Sequence, residues 1–389
     1  MVNVEKEILK KFPNLENRAD ILKKSVIKAA QKIIHEDQVN LFLEENTHLR
    51  GLDFVEAILD YFDFDFTFGS NEINNIPSSG RVIIVANHPL GALDAMALLK
   101  LVGSVRKDVK IVANDFLLGI KNLESVFIPV DSFKDQQAKQ SIANIYKALQ
   151  NEEAVIIFPA GEVSRVSMTG VKDGLWKKGF LSFAGKTQTP ILPILIDAKN
   201  SKTFYTLSII NKTFSTILLS DEMFKKRDKR INMKIGKLIP FANINPYGIN
   251  REKLAQFYKK HLYALKKGKK SYFDTITPIA HETNRKNIYK ELKNSELLGE
   301  TSDGKKIFLY DTNDDSDVLR EIGRLRELSF RKVNEGVNKK RDLDIYDTYY
   351  KHIVLWDDEE LEIVGAYRIG ICDDIYEEYG FDGLYTNTL

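Results

Sequence analysis

Between Ile21 and Ile34 the apolar residues Ile21, Leu22, Val26, Ala29, Ala30, Ile33 and Ile34 recur at intervals of three and four, with Lys23, Lys24, Lys28 and Lys32 on other faces. That spacing predicts a helix. A second helix is predicted around Phe54, Val55, Ile58, Leu59 and Phe62. The period then changes to two. Phe62, Phe64, Phe66 and Phe68 alternate with Asp63, Asp65 and Thr67, which predicts a half-buried strand or a connector to one. From about residue 80 short Val/Ile-rich runs appear at Val82–Ala86, Val109–Ala113, Val126–Val130, Val155–Phe158 and Ile191–Ile196, the signature of buried parallel strands. Helical patterns at Leu93–Val102, Gln136–Leu149 and Leu175–Lys186 lie between them. Strands alternating with helices predict an α/β sheet covered on both faces. Thr203–Ser220 and Ile231–Ile239 read as further strands. The polar stretch 269–300 reads as a linker, and Lys306–Asp311, Val318–Lys332, Ile353–Trp356 and Glu362–Ile371 open a second unit of strand, helix and paired strands.

Composition narrows the classes. With 43% apolar and 29% charged residues, the chain can build a core and is not globally disordered. Lys+Arg is 57 against Asp+Glu 55, a net charge of +2, which disfavours a globally basic nucleic-acid binder. The single cysteine, Cys372, excludes an internal disulfide and a thiolate zinc site, and it fits a reducing compartment. No apolar run approaches a bilayer span and no signal peptide is read. The expectation is a soluble or peripherally attached intracellular protein.

The strongest chemical signal is Val85–Asp94, Val-Ala-Asn-His-Pro-Leu-Gly-Ala-Leu-Asp. A buried strand ends at Asn87 and His88, a Pro-x-Gly turn follows, and a helix starts near Leu93 and Asp94. His88 thus sits at the C-terminal end of a strand, where open α/β sheets present ligand sites. Asp94 is close enough to fold back onto it. A carboxylate against one ring nitrogen fixes the tautomer and leaves the other nitrogen free as a base. The same residues are also what a strand end and a helix N-terminus would carry without any chemistry. Downstream, Ile156–Arg165 is another strand running into a Pro/Gly turn, with Gly161, Glu162, Ser164 and Arg165, and Thr189–Ile194 is a strand bracketed by prolines. Asn114 and Asp115, after their own strand, either line the same cleft or cap a helix. His35-Glu36 and His281-Glu282 lack the second histidine of a zinc helix, so no metal is expected. His35, His48, His261 and His281 read as solvated or capping residues.

In this order the three segments resemble the glycerolipid acyltransferase family, which includes 1-acylglycerol-3-phosphate acyltransferases. That family carries Asn-His-x4-Asp, then Phe-Pro-Glu-Gly-Thr-Arg-Ser, then a Val-Pro-Ile-Val-Pro strand. The resemblance covers roughly residues 70–240. This chain departs from it twice. Five residues, not four, separate His88 from Asp94, and the glutamate follows the glycine in Phe158–Arg165. Both departures resemble a bacterial branch labelled hemolysins, which includes amino-acid-lipid O-acyltransferases. The resemblance implies that His88 deprotonates an acceptor hydroxyl for attack on a fatty acyl thioester, carried by acyl carrier protein (acyl-ACP) or coenzyme A (acyl-CoA), and that Asp94 orients it. Asn87, Gly161, Glu162, Ser164 and Arg165 become substrate-binding residues, with Arg165 suited to an anionic acceptor head.

Residues 301–389 are similar to the N-terminal half of the GNAT-like acyltransferases related to ornithine N-acyltransferases and autoinducer synthases. An Asp-x-Tyr-Asp and a Gly-x-x-Arg element place Asp344, Asp347 and Arg368 in its site. Arg320, Arg324 and Arg331, at helical spacings, either join that pattern or form one solvated face.

The expected fold class is therefore α/β: a glycerolipid-acyltransferase-like mixed sheet with flanking helices over 71–268, a helical N-terminal part over 1–70, a linker over 269–300, and a partial GNAT-like α+β unit over 301–389. The expected function is O-acylation of a lyso-lipid such as lyso-ornithine lipid, with no bound cofactor. A 1-acylglycerol-3-phosphate acyltransferase and a non-catalytic, hemolysin-like membrane binder are the alternatives. Lys225–Arg230 and Lys259–Lys270, the latter with Leu262, Tyr263 and Leu265 among its lysines, are expected to attach the protein to the cytoplasmic face of the membrane. The GNAT-like unit is expected to be unfinished, with an incomplete N-acyl-transfer site; a small complete accessory domain is the alternative.

Overall fold

The computed structural model describes residues 2–11, 20–114, 120–130, 135–167, 170–210, 212–245, 247–311, 315–333 and 335–388. The chain divides into two compact units, Met1–Ile276 and Thr277–Leu389.

The first unit opens with α1 (Val4–Lys11), α2 (Asp20–Ile34), α3 (Glu36–Glu45) and α4 (Gly51–Tyr61), followed by β1 (Asp65–Thr67). The α/β part follows as β2 (Val82–Ala86), α5 (Ala92–Gly103), β3 (Val109–Asn114), β4 (Phe127–Val130), α6 (Asp135–Gln150), β5 (Ala154–Ile157), β6 (Arg165–Ser167), β7 (Gly170–Lys172), α7 (Gly179–Thr187) and β8 (Ile191–Asp197). The unit closes with α8 (Lys202–Ile210), α9 (Lys212–Phe224), β9 (Arg230–Ile235) and α10 (Arg251–Leu265). Seven strands form one mixed sheet in the order β1-β9-β8-β2-β5-β3-β4, in which only β8 and β9 pair antiparallel.

The central strand explains the unbroken apolar run at 82–86. Val82, Ile84 and Ala86 enter a core shared with Phe54, Val55 and Leu59 of α4 and with Leu93, Met96 and Leu98 of α5. Ile83 and Val85 enter a second core with Phe180 and Leu181 of α7 and Leu254, Tyr258 and Leu262 of α10. A strand buried on both faces has no polar side to alternate with. Of the N-terminal residues, α4 lies in the main core and β1 extends the sheet through β9, while α1 and α2 share a small core of Val4, Ile8, Ala30 and Ile34. The alternating phenylalanines end as expected, with Phe62 and Phe64 buried and Phe66 and Phe68 packed partly against the same core.

Two expectations are corrected. The segment Thr203–Ser220 forms α8 and α9, not strands. Its aromatic and β-branched content favoured a strand, but Ser201 caps the helix: its Oγ accepts from the Phe204 N–H at 3.1 Å. Ser201 is itself held by Glu222, through its N–H at 2.7 Å and its Oγ–H at 2.6 Å. The supposed linker 269–300 contains α11 (Arg285–Leu292) and β10 (Glu296–Glu300), both in the second unit. Asn284 caps α11, Ile288 and Leu292 reach the core, and the Glu291 carboxylate accepts from the Asp317 and Val318 N–H groups, both at 3.0 Å. Two well-placed apolar residues suffice to dock a short helix that composition reads as a linker.

The second unit continues with β11 (Lys306–Tyr310), α12 (Asp317–Lys332), β12 (Lys351–Asp357), β13 (Glu362–Ile369) and α13 (Cys372–Tyr379). Its four strands form an antiparallel sheet in the order β10-β11-β12-β13. Phe308, Val354 and Trp356 pack on Val318, Leu319 and Ile322 of α12.

Candidate active site

The turn between β2 and α5 is built to fold Asp94 back. Gly91 takes φ 96°, which only glycine adopts without strain, and precedes the first helical residue. Asp94 Oδ2 then accepts from the Leu90 N–H at 2.7 Å and the Gly91 N–H at 3.1 Å. The same oxygen stands 3.2 Å from His88 Nδ1. Among the described residues neither Oδ1 of this fully buried carboxylate nor His88 Nδ1 completes a hydrogen bond, so the 3.2 Å approach is a charge contact. Burial pushes the Asp94 carboxyl above its ordinary range, opposed by His88 and by the two backbone N–H groups. The five-residue separation therefore still closes a histidine–carboxylate pair. The His88 ring stacks on Phe158, with centroids 4.0 Å apart, and its side chain is 18% exposed. Nδ1 is the ring nitrogen on the carboxylate side.

The other predicted residues divide in two. Asn87 and Ser164 are buried and structural in their bonding. The Asn87 amide accepts from the Ile196 N–H at 2.7 Å and donates to the Ile196 carbonyl at 2.8 Å, clamping the end of β2 to β8. The Ser164 N–H donates to the His88 carbonyl at 2.7 Å. Its Oγ–H donates to Asp173 Oδ1 at 2.5 Å. Gly161, at φ 67°, makes the turn after β5. Arg165 Nε lies 3.3 Å from Glu162 Oε2 at the start of the β6–β7 hairpin, so these two face each other and are both accessible. Asp115 and the Asn114 side chain, named as alternative cleft residues, lie outside what is described.

Asp173 is the residue that sequence reasoning missed. Its buried carboxylate accepts from the Ser164 hydroxyl, from the His88 N–H at 3.2 Å and from the Trp176 indole N–H at 2.8 Å. It ties the β5–β6 loop to the backbone of His88. The available signal was a lone aspartate among Lys, Gly and Trp, which no local pattern distinguishes from a surface residue.

Beside these residues opens a cleft of about 790 Å³ whose wall includes Asn87, Pro89 and Ser164. The lysines of α10 and the residues after it reach this cleft. Leu262, expected on a membrane-facing surface, is in the core, and Tyr263 and Leu265 pack against that core. His261, expected to be solvated, is buried beside Tyr272 and Phe273. In the basic stretch Lys225–Arg230, Lys225 pairs with Asp221 and Glu222 and Arg230 with Asp65, while Lys226 and Arg227 donate to backbone carbonyls.

In the second unit Asp344, Asp347 and Arg368 do converge. Arg368 Nη1 donates to Asp344 at 2.6 Å and to Asp347 at 3.0 Å. Arg326 and His352 complete the ring around Asp347 at 2.9 and 3.3 Å. Burial would raise the Asp347 carboxyl, but the His352 bond, the Asp344 N–H and the Arg326 and Arg368 charges hold it down to about 2. Arg320, Arg324 and Arg331 pair with carboxylates on or beside their own helix, Asp315, Glu321 and Glu327 respectively. Among the described residues no cluster of His, Cys, Asp and Glu is arranged to hold a metal ion, and no helix is long and apolar enough to cross a membrane.

A buried strand thus ends in a histidine–carboxylate pair, inside a mixed α/β sheet and beside an open cleft. The family described as "Acyltransferase" matches residues 9–271, and the chain belongs to that family. It is an acyltransferase of the glycerolipid type followed by a GNAT-like part, since an "Acetyltransferase (GNAT) domain" matches residues 325–389. The chain is 31% identical over 252 residues to a lyso-glycine lipid O-acyltransferase of Bacteroides thetaiotaomicron, covering 63% of this chain and 90% of that one. A lyso-glycine lipid O-acyltransferase of Phocaeicola vulgatus is 30% identical over 247 residues, covering 62% and 87%. The chain is also 35% identical over 112 residues to a glycine N(alpha)-acyltransferase of Phocaeicola vulgatus, covering 28% of this chain and 33% of that one. The crystal structure of the 1-acyl-sn-glycerophosphate (LPA) acyltransferase PlsC from Thermotoga maritima is similar over 61% of this chain and 91% of that one, at 19% identity and a TM-score of 0.36.

Proposed function

We propose that the first unit O-acylates a lyso-amino-acid lipid, taking the acyl group from a thioester of acyl carrier protein or coenzyme A. The observation that carries this reading is the 3.2 Å approach of buried Asp94 to His88 Nδ1 at a strand end. The carboxylate charge beside Nδ1 favours the tautomer protonated there and leaves the Nε2 lone pair to act as the base. His88 Nε2 takes the proton of the acceptor hydroxyl as its oxygen attacks the thioester carbonyl, and Asp94 stabilises the imidazolium that forms. The proton then leaves with the thiolate as the thiol. Such a base contributes about 10²–10⁴ in rate. Asp173 and Ser164 act through the His88 backbone, as positioning residues. Arg165, beside Glu162 at the start of the β6–β7 hairpin, binds the anionic head of the acceptor.

The relatives' names move the favoured acceptor from a lyso-ornithine to a lyso-glycine lipid. Because the acceptor is an amphiphile, the protein works at the inner face of the cytoplasmic membrane as a peripheral protein. The test is acyl transfer by the purified chain from a labelled thioester to lyso-glycine lipid, lyso-ornithine lipid and lysophosphatidate in parallel. The proposal expects the lyso-glycine lipid to give the highest kcat/KM. A preference for lysophosphatidate, or undiminished transfer by a folded His88→Ala variant, overturns it.

A further inference from the structure

Six lysines from three distant stretches of chain meet on the wall of one cleft. Lys172 comes from the end of β7, Lys199 from the loop after β8, and Lys259, Lys260, Lys267 and Lys269 from α10 and the residues after it. The one carboxylate on that wall, Asp197, is taken by a seventh lysine, Lys266, at 2.6 Å. Among the described residues Lys199, Lys260, Lys267 and Lys269 form no ion pair with a carboxylate. Gathering like charges around a concavity raises their mutual repulsion, and a fold carries that cost where an anion relieves it. The rest of the wall is amphipathic: Leu195, Ile196 and Ala198 lie alongside Tyr263 and Tyr272. At about 790 Å³ the cleft has the size of a small-molecule site rather than a flat protein surface. It reaches Pro89 and Ser164, next to His88 in the chain and across the loop.

We infer that this cleft is the donor site, and that it binds the phosphate-bearing pantetheine arm of the acyl thioester. Lys199, Lys260, Lys267 and Lys269 hold the phosphate end, while Lys259 is committed to the Asp173 and Gly174 carbonyls; the apolar and tyrosine wall takes the amide-and-methylene arm, and the thioester is delivered towards His88. Anion recognition is thereby divided in two, with the acceptor head at Arg165 and the donor phosphate at the lysines. This rests on the acyl-transfer reading of His88. Coenzyme A and acyl carrier protein present the same arm, so either can be the source.

The test is a Lys199→Gln/Lys267→Gln/Lys269→Gln triple variant, all exposed positions, assayed with acyl-CoA and with acyl-ACP at saturating acceptor, and then with the acceptor varied. The expected result is a donor KM raised tenfold or more for at least one carrier, with acceptor KM and kcat within twofold of the parent. The donor KM should also lose most of its salt dependence. The carrier whose KM moves identifies the source. Unchanged donor KM for both carriers overturns the inference, as does an effect confined to acceptor KM. So does loss of sedimentation with phosphatidylglycerol vesicles at unchanged donor KM, which would make the lysines a membrane contact. Should the parent chain transfer no acyl group, calorimetry with desulfo-coenzyme A and with holo acyl carrier protein decides separately. Binding weakened tenfold by the triple variant supports the site, and no binding of either by the parent overturns it.

Discussion

Asp94→Asn separates the electrostatic role of this residue from its structural one. The asparagine carbonyl can still accept from the Leu90 and Gly91 N–H groups, so the turn that Asp94 closes is retained. What disappears is the negative charge 3.2 Å from His88 Nδ1. Two unit charges at that separation attract by about 5 kcal/mol at an effective dielectric of roughly 20. Because burial already disfavours the ionised carboxylate, part of that attraction is offset. A loss of about 10²–10⁴ in kcat follows, about 3–5 kcal/mol. Stability should move the other way. The Asp94 carboxyl is held above its ordinary value, so the folded chain binds this proton more tightly than the unfolded one. Ionisation is then a cost to folding, absent below the ordinary carboxylate range and complete once pH exceeds the folded-state value. At neutral pH the variant should melt at or above the parent temperature, and the difference should vanish in acid. Single-turnover acyl transfer and thermal unfolding, each followed against pH, measure both effects. A kcat within threefold of the parent in a folded Asp94→Asn protein would refute the reasoning.

Asp173→Ala strips acceptors from the Ser164 hydroxyl, the His88 N–H and the Trp176 indole. It should cost roughly 3–5 kcal/mol of first-unit stability by denaturant titration, and at permissive temperature it should lower kcat while leaving the acceptor KM near the parent value. Arg165→Lys should raise the acceptor KM and not the donor KM, because an ammonium lacks the planar fork; steady-state kinetics with each substrate varied checks this. His261 is buried and held down to about 4 by burial. Its contribution to stability is present above about 6.5 and is lost as pH falls from there to about 4. His261→Gln should flatten that part of the acid-unfolding profile. Co-sedimentation with liposomes should rise with anionic lipid and fall with salt; indifference to both would remove the electrostatic attachment.

The strand–turn–helix around His88 was legible in the chain because its determinants are local. An apolar run, a Pro-x-Gly turn and a helix-starting Asp lie within a few residues, and glycine's φ freedom settles the turn. The two-faced burial of β2 was legible for the same reason, since a strand covered on both sides leaves no polar positions. Residues 203–220 were misread because composition speaks for a strand while a single serine cap and its Glu222 partner decide for helix, and that partner is far along the chain. Asp173, Asn87 and the lysine cleft belong to a third kind. Asn87 looks like a substrate ligand in a motif, yet its amide is spent on Ile196, a residue that the sheet order alone brings alongside. Lys172 and Lys199 are unremarkable in the sequence, and the stretch 259–270 reads as a membrane face because periodicity cannot say which side of α10 meets the core. Local steric and capping preferences act over a few residues and leave a mark in the sequence. Long-range pairing of buried polar groups, and the convergence of distant charges on one cavity, depend on strand order and helix docking. Those were decided by the tertiary structure.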